Sequence, residues 1–323
     1  MNLRTALLLP LLAAPGAFAQ NPQQGFQTPA ILIKNESSTF VQRIWVVKAT
    51  KTAIEYRETE VATTTKSANL SDLASLYLFE PREYSEALDL YQNREYKKAR
   101  ELFAKIKDTH KPVATLENNP STLAAFYEME CLRKEGDLDG LMAAFGDFNK
   151  SALTRENQLR QVELYLLWDA VRGEKWPTVL KLVGERAKTR LPGDQRAQVS
   201  YCHGLALEAT EKPDEAMVAF HTAMIADSAA SEVISRKAAI KVISFLHEKP
   251  EVKRAIQIWG TPEESISTPG YNKLLEAAAL ARLYVMSLGG GQPLPEDLQK
   301  LTEYRPKESE QPRVKPAKPE DPE

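Results

Sequence analysis

The stretch Glu211–Met224, EKPDEAMVAFHTAM, decides how the rest of the chain is read. Ala216, Ala219 and Ala223 recur at helical spacing among Met217, Val218 and Phe220, so the smallest side chains share one side of a helix. They cannot fill a core by themselves. They fit where a second helix axis comes to the short end of ~8–10 Å and a large ring fills the space beside the contact.

The same grammar recurs along the chain. Aligning Ala99, Leu141, Val179, Ala216 and Ala255 gives steps of 42, 38, 37 and 39 residues. A short polar turn precedes each aligned residue: QNREY, KEGDL, RGEKW, ATEKP and HEKPE. Four residues past each lies a bulky side chain, namely Phe103, Phe145, Val183, Phe220 or Trp259. Gly136 and Gly173 stand where a helix end takes a left-handed residue. Pro213 and Pro250 stand at helix starts, where a missing N–H is tolerated. A step of this size predicts a stack of helical hairpins.

This pattern resembles the tetratricopeptide repeat family over residues 81–262. The best matches are YCHGLALEATEKPDEAMVAFHTAM, with Gly204, Ala216, Phe220 and Ala223, and EALDLYQNREYKKARELFAKI, with Ala87, Tyr96, Ala99 and Phe103. Leu141, Val179 and Leu167 stand where the family has small residues, and the units exceed its usual length of about 34 residues. The resemblance implies a mainly α fold, a right-handed α-solenoid of about five hairpins. It also implies that first helices line a concave groove for an extended peptide or a partner's helix. Carried over unit by unit, that groove takes Tyr84, Phe126, Leu164, Tyr201 and Ile240 as one row, flanked by Arg133, Lys134, Trp168, Arg172 and Glu208. Trp and Tyr beside Arg are the composition of interface hot spots.

The remaining text differs. Residues 1–19, with Arg4, an apolar run and Ala17-Phe18-Ala19, read as a secretory signal cleaved after Ala19; export to the periplasm or envelope of a Gram-negative bacterium is the expectation. Residues 20–29 read as a disordered leader. Residues 30–80 are rich in Ile, Val, Thr, Tyr and Trp, with extended runs at Ile44–Val47, Ala53–Tyr56 and Val61–Lys66, and predict a small β unit of three to five strands. Residues 81–290 form the helical region, with Tyr271–Leu288 as a capping helix. Residues 291–323, rich in Pro and charge, read as a disordered tail.

Composition narrows the function classes. The chain of 323 residues carries 42 Lys and Arg against 44 Asp and Glu, a net charge of −2 that becomes −3 once Arg4 leaves with the signal. No basic excess points to nucleic acid, and no other apolar run predicts a membrane span. HEKPE at 247–251 lacks a second His, and GGG at 289–291 follows a helix rather than opening one, so neither a zinc-protease helix nor a phosphate loop is expected. His110, His203, His221 and His247 lack ligand spacing. No catalytic residue, metal or cofactor is assigned. Cys131 and Cys202 fall on first helices two units apart, roughly 20 Å by stacking distance, and are expected as buried thiols because a disulfide needs Cα atoms within about 7 Å. The expected function is an exported scaffold or adaptor that binds a protein or peptide non-covalently. The alternatives are a structural spacer tethered through the β unit and tail within an envelope or secretion assembly, and an accessory domain of a cell-wall enzyme.

Overall fold

The computed structural model describes residues 25–34 and 40–306. The stretch expected as a secretory signal and the end of the expected C-terminal tail lie outside these residues. The described chain is mainly helical with a small antiparallel sheet at its N-terminal end. It divides into two compact units, residues 1–128 and 129–323.

The first unit opens with β1 (Thr28–Lys34), β2 (Phe40–Ala49), β3 (Ala53–Arg57), β4 (Lys66–Asn69) and β5 (Leu73–Leu78), in the spatial order β4-β3-β2-β1-β5. The sheet begins before the expected boundary at residue 30. Thr28 pairs with Val46, and the Gln27 side chain bonds Glu60 and Arg57. The Val61–Lys66 run is not a strand; only Lys66 joins β4. Even-numbered side chains, among them Ala30, Leu32, Ile44, Val46, Ile54 and Tyr56, form one buried face, which Val113 and Leu116 cover. That alternation is the two-residue period of a half-buried strand.

Helices follow: α1 (Arg82–Gln92), α2 (Tyr96–Thr109) and α3 (Pro120–Glu135), with the unit boundary falling within α3. Asn119, fully buried, caps α3 by accepting from Thr122 N at 2.8 Å while its amide donates to Leu116 O. Pro120 then sits at the first helical position, where its fixed φ suits the helix.

The second unit contains α4 (Leu138–Gly146), α5 (Glu156–Arg172), α6 (Trp176–Arg186), α7 (Gly193–Ala209), α8 (Pro213–Ala226), α9 (Glu232–Glu248), α10 (Pro250–Ile258) and α11 (Tyr271–Leu283). Helices α5 and α6, α7 and α8, and α9 and α10 pack as consecutive pairs, and the alternate helices α5, α7, α9 and α11 also pack in succession. Ala216, Ala219, Phe220 and Ala223 are buried on α8. Gly204 on α7 is what admits the Phe220 ring, for a Cβ there would lie 2.6 Å from Cε1.

The helix pairs share one turn. Arg94, Gly136, Glu174 and Glu211 all have positive φ, and each lies two residues before a second helix. In each turn the next residue's N–H reaches back five residues, from Glu95 to Leu90, Asp137 to Leu132, Lys175 to Ala170 and Lys212 to Leu207. The left-handed residue itself bonds three residues back. This double bond pattern closes the helix C-terminus. Gly173, expected in the left-handed role, has φ −87°, and Glu174 takes the position with φ 51°. The fifth pair departs from the pattern: Lys249 is extended and Pro250 starts α10 directly. Second helices therefore begin at steps of 42, 38, 37 and 37 residues, so Ala255 lies two positions beyond its counterparts.

Helix α11 continues into a π-helical turn over Tyr284–Leu288. The expected tail boundary at residue 291 is too early. Residues 296–303 form a short α-helix, α12 (Glu296–Gln299), and a 3₁₀ turn, and Leu294, Leu298, Leu301 and Tyr304 are buried. Tyr304 packs edge-on against Trp259 at 5.1 Å, and its carbonyl accepts from Arg282.

Candidate interaction surfaces

The ten residues expected to line a groove fall into distinct environments. In the first unit, Tyr84 and Phe126 are buried in an aromatic cluster: Tyr84 meets Phe103 at 5.8 Å and Tyr127 at 6.1 Å, and Phe126 meets Tyr127 at 5.3 Å. These rings join first and second helices, as edge-to-face pairs in a core do.

In the second unit, Leu164, Trp168 and Tyr201 are buried too. Trp168 and Tyr201 lie 6.3 Å apart, ring to ring. Gln161 and Gln198 stand one 37-residue step apart and exchange two amide hydrogen bonds of 3.0 and 2.9 Å between α5 and α7. Trp168 Nε1 donates to the same Gln198 oxygen at 2.9 Å. Buried polar groups thus satisfy one another between neighbouring first helices.

Arg133 and Lys134 belong to a buried charged cluster at the end of α3. Arg133 binds Glu130 with two bonds, Nε to Oε1 at 2.9 Å and Nη2 to Oε2 at 2.7 Å, and Tyr165 donates to Oε1 at 2.9 Å. Burial pushes the Glu130 carboxyl up, but the Arg133 charge and the hydrogen bonds from Arg133 and Tyr165, with Lys134 nearby, outweigh it and hold it below its ordinary value. Lys134 reaches the start of α9, donating to Ala230 O at 3.0 Å and to both Glu232 oxygens at 3.2 Å. Burial and the like charge of Arg133 lower its ammonium, against the pull of Glu232 and Glu130. A bidentate guanidinium–carboxylate pair with a further donor is the arrangement that makes buried charge tolerable.

The remaining three residues reach solvent. Arg172 pairs with Asp169 and Asp139, Glu208 takes both 2.7 Å bonds from Lys241, and Ile240 is half-buried. The seven other expected residues therefore act within the fold as packing or charge-pairing groups.

Cys131 and Cys202 are buried thiols, not joined to each other, and burial pushes the Cys202 thiol well above its ordinary range. Among the described residues no group of three or more His, Cys, Asp and Glu is placed to hold a metal ion, and no helix is long and apolar enough to cross a membrane.

Sequence reading passed over a different surface. The odd-numbered face of the sheet carries Ile31 and Ile33 on β1, Val41, Arg43 and Trp45 on β2, and Tyr77 on β5, with Phe79 just beyond. Val41 is 57% exposed, Tyr77 59% and Phe79 44%. The Arg43 guanidinium lies 5.1 Å from the Trp45 ring centre and 5.6 Å from that of Phe79. Pairings Ile31 with Arg43 and Ile31 with Tyr77 place these side chains in adjacent columns. The signal was present: ILI at 31–33, IWVV at 44–47 and LYLF at 76–79 are apolar at both parities, which a sheet with one wet polar face does not require. Comparison with known proteins gives no neighbour: no protein-family model, curated protein or solved structure matches this chain.

Proposed function

We propose that this chain is a non-catalytic scaffold that binds another protein through the outer face of its sheet, with its helix pairs forming a right-handed tetratricopeptide-like stack. The observation that carries the reading is the solvent-exposed set Val41, Tyr77 and Phe79 beside half-buried Trp45, with Arg43 held over the Trp45 and Phe79 rings. Exposed apolar patches mark contact sites, and rings beside arginine are the groups whose burial dominates interface energy. Among the described residues Arg43 pairs with no carboxylate, so a partner segment with apolar side chains and one acid complements the face. The repeated left-handed turn and the Gln161–Gln198 pair at one repeat step support the stacked-hairpin reading. The N-terminal stretch supports an exported location. This reading moves the docking surface from the helical wall to the β unit, nearer to the tether alternative.

The test is site-specific photo-crosslinking in the native host, with the probe at Tyr77, at Leu166 on α5 or at Val218 on α8. A defined partner captured from Tyr77, absent at the two helical positions and lost in Arg43→Ala/Trp45→Ala, is the expected result. Capture from Leu166 or Val218 with none from Tyr77 refutes it. Capture of a second copy alone makes the face a dimer interface instead.

A further inference from the structure

The second unit contains a pocket of about 330 Å³ between the end of α6, the connection that follows it, α7 and α8. Its floor is apolar, with Val183 and Val199 buried and Leu191 half-buried. Three guanidiniums surround it: Arg186, Arg190 and Arg196. Arg186 is committed on one side to Glu163 at 2.7 Å. Arg196 has only a long 3.4 Å contact to Ala226 O, and Arg190 has no partner among the described residues. The Ser200 hydroxyl, half-buried in the pocket wall, is likewise unengaged among them. His203 completes the wall, and burial lowers its imidazole pKa against the pull of Glu215. By contrast, Arg133 is neutralised by Glu130 and Arg172 by Asp139 and Asp169. Here two of three are not.

We propose that this pocket binds a small organic oxyanion, a carboxylate or phosphate carried on an apolar body. Guanidinium forks match the geometry of both groups, and Ser200 adds a donor. The valine and leucine floor takes the body, as apolar walls do in small-molecule sites with a few convergent polar groups. The site is separate from the sheet face and stands or falls independently of it.

The test uses the full chain and isothermal titration with hexyl phosphate, hexanoate, inorganic phosphate and hexanol. Either hexyl phosphate or hexanoate is expected to saturate at about tenfold lower concentration than inorganic phosphate, since burying two methylenes accounts for a factor of that size. The preferred headgroup identifies the anion class. Arg190→Ala/Arg196→Ala, at two exposed positions, is expected to lose at least about tenfold in affinity with an unchanged circular dichroism spectrum. Lys181→Ala, a cation on the exposed side of α6, leaves binding unchanged. Absence of saturable binding, equal binding of hexanol, or retention of affinity in the double arginine variant overturns the proposal. Equal affinity for inorganic phosphate and the alkyl anions removes the apolar floor from it.

Discussion

Replacing Gly204 by alanine isolates the contact on which the α7–α8 pair depends. The new methyl would lie 2.6, 2.7 and 2.9 Å from Cε1, Cδ1 and Cζ of Phe220. The ring cannot swing into solvent, because it is fully buried and flanked by Tyr201 at 5.6 Å and Phe245 at 6.0 Å. Forcing a group into a packed site costs ~1–3 kcal/mol, while exchanging glycine for alanine inside a helix returns ~1 kcal/mol. A reference substitution removes the second effect. Gly184 on α6 has open space where its Cβ would stand, so Gly184→Ala gains helix propensity without strain. The gap between the two variants then measures the strain alone, ~1–3 kcal/mol, or about 2–4 °C in melting temperature for each kcal/mol in a unit of this size. Thermal and urea unfolding followed by circular dichroism provide the measurement. Gly204→Ala/Phe220→Leu should narrow the gap by removing the ring. If Gly204→Ala is as stabilising as Gly184→Ala, the close α7–α8 approach is wrong, and with it the reading of the alanine stripe that began from Glu211–Met224.

Glu130→Gln replaces the buried carboxylate that binds Arg133 through two bonds and is expected to cost ~3–5 kcal/mol in urea unfolding, with Tyr165→Phe costing ~1.5–3 kcal/mol as the loss of one bond to a charged group. Because the Glu130 carboxyl is held below its ordinary value of 4.5, its stabilisation is full above that pH and is lost as pH falls through the lower folded-state value; stability measured from pH 6 downward should show an acid-side loss that Glu130→Gln lacks. Glu211→Gly should raise stability by up to about 1 kcal/mol, since φ of 59° costs a side-chain-bearing residue more than glycine, and Glu211→Val should lower it. Both thiols should resist a thiol reagent in the folded chain and react in urea, as their burial requires; rapid native reaction at Cys202 would contradict its packing.

Much of the helical architecture was legible because it is written locally. Pro213 and Pro250 mark helix starts, and Ala99, Ala216 and Phe220 mark contact faces, all within one turn of the features they predict. The left-handed turns were legible in part: Gly136 shows itself, whereas Arg94, Glu174 and Glu211 occupy the same geometry without the residue that advertises it. There the two carbonyls that the turn satisfies outweigh local preference. Helical structure continues past the expected boundary at residue 291; proline and charge after residue 304 hid the helical spacing of Leu294, Leu298 and Leu301 just before it. The surroundings of the expected groove residues were not legible for a different reason. Whether Trp168 faces a ligand or a glutamine depends on Gln198, 30 residues away, and whether Lys134 faces solvent depends on Glu232, 98 residues away. Periodicity places a side chain on a face of its helix but does not say what lies opposite.

The link from Lys134 to Ala230 and Glu232 changes what kind of object the second unit is. A row of helix pairs that touch only their neighbours can open at any joint, one joint at a time, like a folding ruler. Here the end of α3 grips the start of α9 across the intervening α4 to α8, so the intervening pairs sit inside a closed loop of contacts. Loosening one joint must also break a buried ion pair. The closed loop therefore opposes opening at a single joint, which an open row of pairs would not.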